Sequence, residues 1–318
     1  MAKNVQLAQL VDMDSPEDVL KEGLLILNLI SPDFDLAPVT TVFHKTVSLY
    51  RGEWPGYQAC KTEFHDLLHM TDTFLAQARL IHGAIISGQT FSERHITLSL
   101  LATILHDVGY IQKDDEMEGT GAQYTALHVQ RSMDFLEHHG AEYGLSHQEI
   151  AEGRMMILCT DLAADISAIA FPSYEVELLG KMLGTTDLLA QMADRTYLEK
   201  LLFLYHEFKE GEVGQYESEI DLLRKTVGFY DFIAQRLEKT LDAADRFMSL
   251  HFASRWNVHK NLYQEAIERQ KNYLIKILET KDSDPRRFLK RDGIVAKVRE
   301  EYEEKSEKGE TESSERKI

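Results

Sequence analysis

The sequence predicts an all-α protein. Apolar residues recur at helical spacing through most of the chain, and no strand-like alternation lasts long enough to propose a sheet. A capping serine precedes the first periodic stretch, and turn residues break or close others.

The elements follow in order. Ser15-Pro16-Glu17-Asp18 is a helix start, with a capping serine, a proline in the first turn and acids facing the dipole. Leu20, Leu24, Ile26 and Leu27 give that helix its apolar side, and residues 31–38 break it. A second helix is expected over 39–50, then a turn-rich loop over 51–56. From Thr62 to Ile86 runs a long amphipathic pattern through Phe64, Leu67, Leu68, Leu75, Ala78, Ile81 and Ile85, closed by Gly88. Leu98, Leu101, Ala102 and Leu105 mark the next helix, which ends in His106-Asp107, with Gly109 read as its stop. A polar loop over 112–123 follows. Helical patterns resume over 124–138, 146–159, 174–193, 197–208, 217–250 and 261–279. Beyond Lys281 the chain turns basic and then mixed in charge. The predicted organisation is an N-terminal helical segment packed on the core (1–60), a helical main body (61–280) and a charged, disordered tail (281–318).

The 318 residues, 43% of them hydrophobic, suffice for a sizeable core. Lys and Arg number 35 against 53 Asp and Glu, a formal charge of −18, which disfavours binding to a nucleic-acid duplex. A phosphate ester held locally by cations stays compatible with that charge. Two cysteines, Cys60 and Cys159, make no disulfide framework and fit a reducing cytoplasm. The N-terminus lacks a signal-like apolar run, and no stretch approaches the roughly 18–20 apolar residues of a membrane span. The expectation is a soluble cytoplasmic protein.

The chemistry concentrates in a few positions. An imidazole and a carboxylate at the end of a buried helix, His106 and Asp107, are costly to desolvate unless paired. A metal cation is one partner that accepts both; a capped His–Asp pair without metal is the plainer reading. His65 and His69 are expected at i and i+4 of one helix, pointing to one side. A further ligand from a third helix has two candidates, Asp161 and Asp187, both in apolar surroundings. Asp161 can equally end a helix, whereas Asp187 stands inside a pattern flanked by Met182, Leu183, Leu188 and Leu189.

The ordered set His65, His69, His106-Asp107 and Asp187 resembles the HD-domain metal-dependent phosphohydrolase superfamily, over residues 61–195. The segment Phe64-His65-Asp66-Leu67-Leu68-His69 is similar to the first histidine motif of class I cyclic-nucleotide phosphodiesterases. The resemblance implies an HD-domain, phosphodiesterase-like helical bundle with its catalytic domain at 61–280. It implies that His69, His106, Asp107 and Asp187 bind one divalent ion, that Asp107 bridges to a second, and that His65 protonates the leaving oxygen. Two ions of the magnesium, manganese, zinc or iron kind would activate a water against a nucleotide or other small phosphate ester. Asp161 matches a further site acid, and His128 resembles a histidine that some HD proteins place on a second metal. The match is incomplete: the phosphodiesterase His-Asp-x-x-His becomes His106-Asp107-Val108-Gly109-Tyr110, and no purine-clamping glutamine is identifiable.

Four lesser expectations complete the site. Gln191 could orient a ligand, and Glu118 could accept a hydrogen bond from a metal-bound water. Lys61, Lys113 and Arg131 could meet a phosphate, and Tyr110 and Tyr124 could stack on a base; surface solvation and core packing are the plainer readings. The remaining histidines, His82 and His251 among them, show no pattern. Two other functional classes compete with the hydrolase: a non-catalytic metal-containing sensor or interaction protein, and a di-iron oxygenase.

Overall fold

Short polar side chains start most of the helices. In the computed structural model, which describes residues 5–281 and 283–303, Ser15 accepts a hydrogen bond from the Asp18 N–H and opens α1 (Pro16–Ile30). After α2 (Ala37–Tyr50), Asp66 caps α3 (Leu67–Ile86) and Ser92 caps α4 (Glu93–Leu105). α5 (His128–His139) leads to α6 (His147–Leu158), where Ser146 and Glu149 form a reciprocal capping box. Ser173 opens α7 (Tyr174–Ala193), α8 (Tyr197–Glu210) follows, and Ser218 opens α9 (Glu219–Lys239). The last helices are α10 (Met248–Trp256), α11 (Leu262–Leu278), capped by Asn261, and α12 (Ile294–Val298). Each such cap is worth about 1 kcal/mol to its helix. The described residues contain no β-strand, only an isolated bridge between Tyr57 and Lys113. None of their helices is long and apolar enough to cross a membrane.

α3 and α4 lie at the centre. Every residue of α4 from Ile96 to Leu105 is buried, and α3 is buried from His69 to Ala84 except at Asp72. α3 packs against α1, α4, α7 and α10, while α4 packs against α2, α6 and α7. A polar clasp fixes α3, α4 and α7 to one another. Gln77 donates to Ser99 Oγ at 2.8 Å, and its own Oε1 accepts from Thr186 at 2.8 Å. Buried polar groups of this kind are tolerated because each finds a partner.

The structure departs from the sequence reading at several points. α3 begins at Leu67 rather than Thr62, because Asp66 takes the His69 N–H at 2.8 Å and so ends the extended segment ahead of it. His65 therefore sits before the cap, not one turn behind His69 on the same helix. Gly109 is not a helix stop either: α4 ends at Leu105, and Gly109 lies in a 3-10 turn over Val108–Tyr110. A Cβ there would fall 2.0 Å from the His128 carbonyl oxygen. Its missing side chain is what lets the first turn of α5 dock beside His106-Asp107.

The expected helix over 217–250 is two helices. The chain passes through left-handed Asp242 and Ala243 (φ 54° and 48°) before α10, a bend that no glycine or proline announces. The segment expected to be disordered from 281 onward is in part packed: Leu289, Ile294 and Val298 are buried. α12 rests on α8. The remainder of that predicted tail, residues 304–318, lies outside the described residues.

Candidate metal centre

Three helices converge on one buried point. α3 supplies His69, the end of α4 supplies His106 and Asp107, and α7 supplies Asp187. One donor atom from each of His69, His106 and Asp107 lies within 4.8 Å of the other two. Asp187 Oδ1 is 3.1 Å from His69 Nε2 and 3.5 Å from His106 Nε2. Asp107 Oδ2 is 3.4 Å and 3.3 Å from the same two nitrogens, which are themselves 3.4 Å apart. Local structure aims these groups. Gly184 lets α7 approach the end of α6, since a Cβ there would meet the Cys159 carbonyl oxygen at 2.4 Å, and Thr186, beside Asp187, is held by Gln77.

The donors suit a divalent cation. His106 Nδ1 donates to the Thr103 carbonyl at 2.7 Å, which fixes the tautomer and leaves the Nε2 lone pair turned to the cluster. His128 repeats the device, its Nδ1 donating to Thr125 O at 2.6 Å while Nε2 stands 3.6 Å from Asp107 Oδ1. Asp107 Oδ2 is buried without a properly directed hydrogen bond. Two imidazoles with two carboxylates form a common zinc, iron or manganese donor set.

In the absence of a cation, protons have to balance the charge. Burial alone would lower the His69 pKa, but the nearby Asp107 and Asp187 carboxylates overcome it and hold it up at about 9. His106 is likewise raised well above the ordinary histidine range against its burial, chiefly by Asp107. Burial would raise both carboxyls, yet the two imidazoles hold Asp107 and Asp187 well below the usual carboxylate range. His128 moves the other way, pushed down by its burial.

Above the donors opens a cavity of about 530 Å³. His65, Tyr110, His128, Asp161 and Gln191 line it together with Asp107 and Asp187. The Tyr110 ring stacks on both His65 and His128, at centroid distances of 4.4 and 4.5 Å, so it packs on imidazoles as part of the wall. His65 Nδ1 donates to Glu207 Oε2 at 2.8 Å, and Glu207 Oε1 accepts the Phe64 N–H at 2.7 Å. Glu207, on α8, escaped the sequence reading because 142 residues separate it from His65. Asp161 stands at the cavity in a turn after α6, where its Oδ1 accepts the Ala163 N–H at 2.8 Å.

Other sequence candidates stand elsewhere. Glu118 is exposed and is not among the cavity-lining residues; its backbone carbonyl, not its carboxylate, accepts from Gln112 and Gln123. Arg131 is spent on Glu116 and on the carbonyls of Gly109 and Ile111, and its guanidinium covers the Tyr124 ring at 3.7 Å. Lys61 is bound to Gln58 and Gln112, and Lys113 is exposed. None of these cations faces the cavity.

No family model, curated protein or solved structure matches the chain.

Proposed function

We propose that the protein is a divalent-metal-dependent phosphohydrolase of the HD-domain, phosphodiesterase-like kind, acting on a small phosphate ester in a reducing cytoplasm. The observation that carries this reading is the meeting of His69, His106, Asp107 and Asp187, from three helices, with Asp107 and Asp187 lining a cavity that has His65 on its wall. A bound cation would supply Lewis acidity toward a phosphoryl oxygen and lower the pKa of a water that attacks phosphorus. A second cation would draw on His128 and the other oxygen of Asp107, the one 3.6 Å from His128 Nε2.

The chain's own residues do the rest. Glu207 fixes the His65 ring through Nδ1, leaving Nε2 as the nitrogen free to serve the cavity. From there His65 gives a proton to the departing alkoxide, a role typically worth on the order of 10²–10⁴ in rate. Tyr110 fixes the plane of that ring by stacking, and the apolar walls keep bulk water from competing.

The test is elemental analysis of the purified protein combined with a phosphate-ester screen before and after chelation. At least one equivalent of metal, with hydrolysis lost on chelation and restored by magnesium, manganese, zinc or iron, is the expected result. Absence of stoichiometric metal overturns the proposal, and metal without turnover favours the sensor.

A further inference from the structure

The cavity walls narrow the substrate class, on the premise that the phosphohydrolase reading above holds. Away from the donors the walls are built of apolar side chains from four helices: Met133 of α5, Leu158 of α6, Leu204 and Phe208 of α8, and Phe229 of α9. Among the described residues Lys225 is the only lysine or arginine that lines the cavity, and its ammonium has partners of its own. Its ammonium donates to Gln215 O at 2.6 Å and to Asp221 Oδ2 at 2.8 Å, and the side chain is 51% exposed.

A charge argument follows. Two divalent cations at the donor group would outweigh the Asp107 and Asp187 carboxylates by enough charge to neutralise one phosphoryl group. A second or third phosphate would lie against leucine and phenylalanine with no free cation among the described residues to meet it, a desolvation cost of several kcal/mol. An apolar moiety, by contrast, gains from the same walls. The apolar surface also continues outward. Leu162, which lines the cavity, is 42% exposed; Leu127, between the lining residues Ala126 and His128, is 58% exposed. Phe232, 48% exposed, lies 6.0 Å from the ring of the lining Phe229. Single exposed apolar residues are ordinary, but three beside one cavity leave its surroundings partly apolar.

We infer that the substrate is an ester of a single phosphoryl group with an apolar alcohol, alkyl or aryl, rather than a nucleoside polyphosphate. The phosphate sits over the donors and the alcohol fills the cavity toward Leu162.

The experiment uses the metal-loaded full chain and n-alkylphosphonates from methyl to octyl, with binding followed by calorimetry. In parallel, turnover of the matching alkyl phosphates is compared with that of a nucleoside monophosphate and triphosphate. Affinity should rise about fourfold per methylene along the series. Leu162→Gln, at a partly exposed position that tolerates a polar side chain, should flatten that rise. Affinity independent of chain length, or tighter binding of the triphosphate than of the octyl compound, overturns the inference. Hydrolysis without chain-length dependence removes only this inference. Chain-length-dependent binding with no ester hydrolysed upholds the ligand class and removes the phosphohydrolase reading.

Discussion

α3 carries two buried histidines that local sequence treats alike, His69 near its start and His82 near its end. They are 13 residues apart, roughly 20 Å along the axis. His69 meets Asp107 and Asp187, and its pKa is held up at about 9. His82 meets His251 of α10, Nδ1 to Nδ1 at 3.0 Å, and the charges that bear on this pair are Arg79 and Arg255. Burial lowers both of those pKa values, and the arginines add to it: His251 is held down at about 2. One helix thus holds a histidine that attracts positive charge and another that repels it. The lesson is that histidine and burial do not define a metal ligand. The carboxylates brought up by neighbouring helices do.

The largest test of that contrast is metal content. His106→Ala should drop bound metal from at least one equivalent to near zero by elemental analysis. It should cost hydrolysis on the order of 10³-fold or more, the loss of several kcal/mol of charge stabilisation. His251→Gln should leave the metal content unchanged. Equal loss in both variants would erase the distinction between the two ends of α3.

A second test separates holding metal from moving a proton. His65→Gln should retain metal while kcat falls by roughly 10²–10⁴-fold. Glu207→Gln, which acts only through His65, should cost roughly 10- to 100-fold. Bound metal should be unchanged in that variant. A Glu207 variant that loses bound metal along with activity would mean that the residue does not act through His65 alone.

The smallest effect is on stability. His251 has a folded pKa well below its ordinary value of 6.5, so unfolding takes up a proton. Its contribution is therefore intact above about pH 6.5 and drains away as pH falls below it, approaching about 1.4 kcal/mol per pH unit. Urea unfolding at pH 7.5, 6.5 and 5.5 should show a shallower acid loss in His251→Gln than in the unaltered chain. Parallel losses would mean that the pair does not stay neutral when folded.

The legibility of the chain was uneven for identifiable reasons. The start of α1 follows from Ser15, because a cap is a bond between residues three apart. The residue types of the donor group were also readable, since polar side chains inside apolar helices stand out. His65 was misplaced because the same local logic was not applied to Asp66, whose capping bond starts α3 after it. Glu118 was proposed on its position in a loop beside the motif, but sequence proximity does not set the direction of a side chain, and it faces solvent. Nothing in the run from Glu217 to Leu250 signals the bend at Asp242 and Ala243, because its apolar spacing continues across the break.

The sequence by itself determined the all-α class, the start of α1 and the residue types able to hold a cation, because each depends on neighbours within about one helical turn. Only the tertiary structure decided that Asp187 faces His69 across 118 positions of chain, that Glu207 takes the His65 ring, and that His82 has arginines for company. Electrostatic interactions act over ångströms of space and are indifferent to chain separation, so the charge environment of each histidine came into being only when the helices packed.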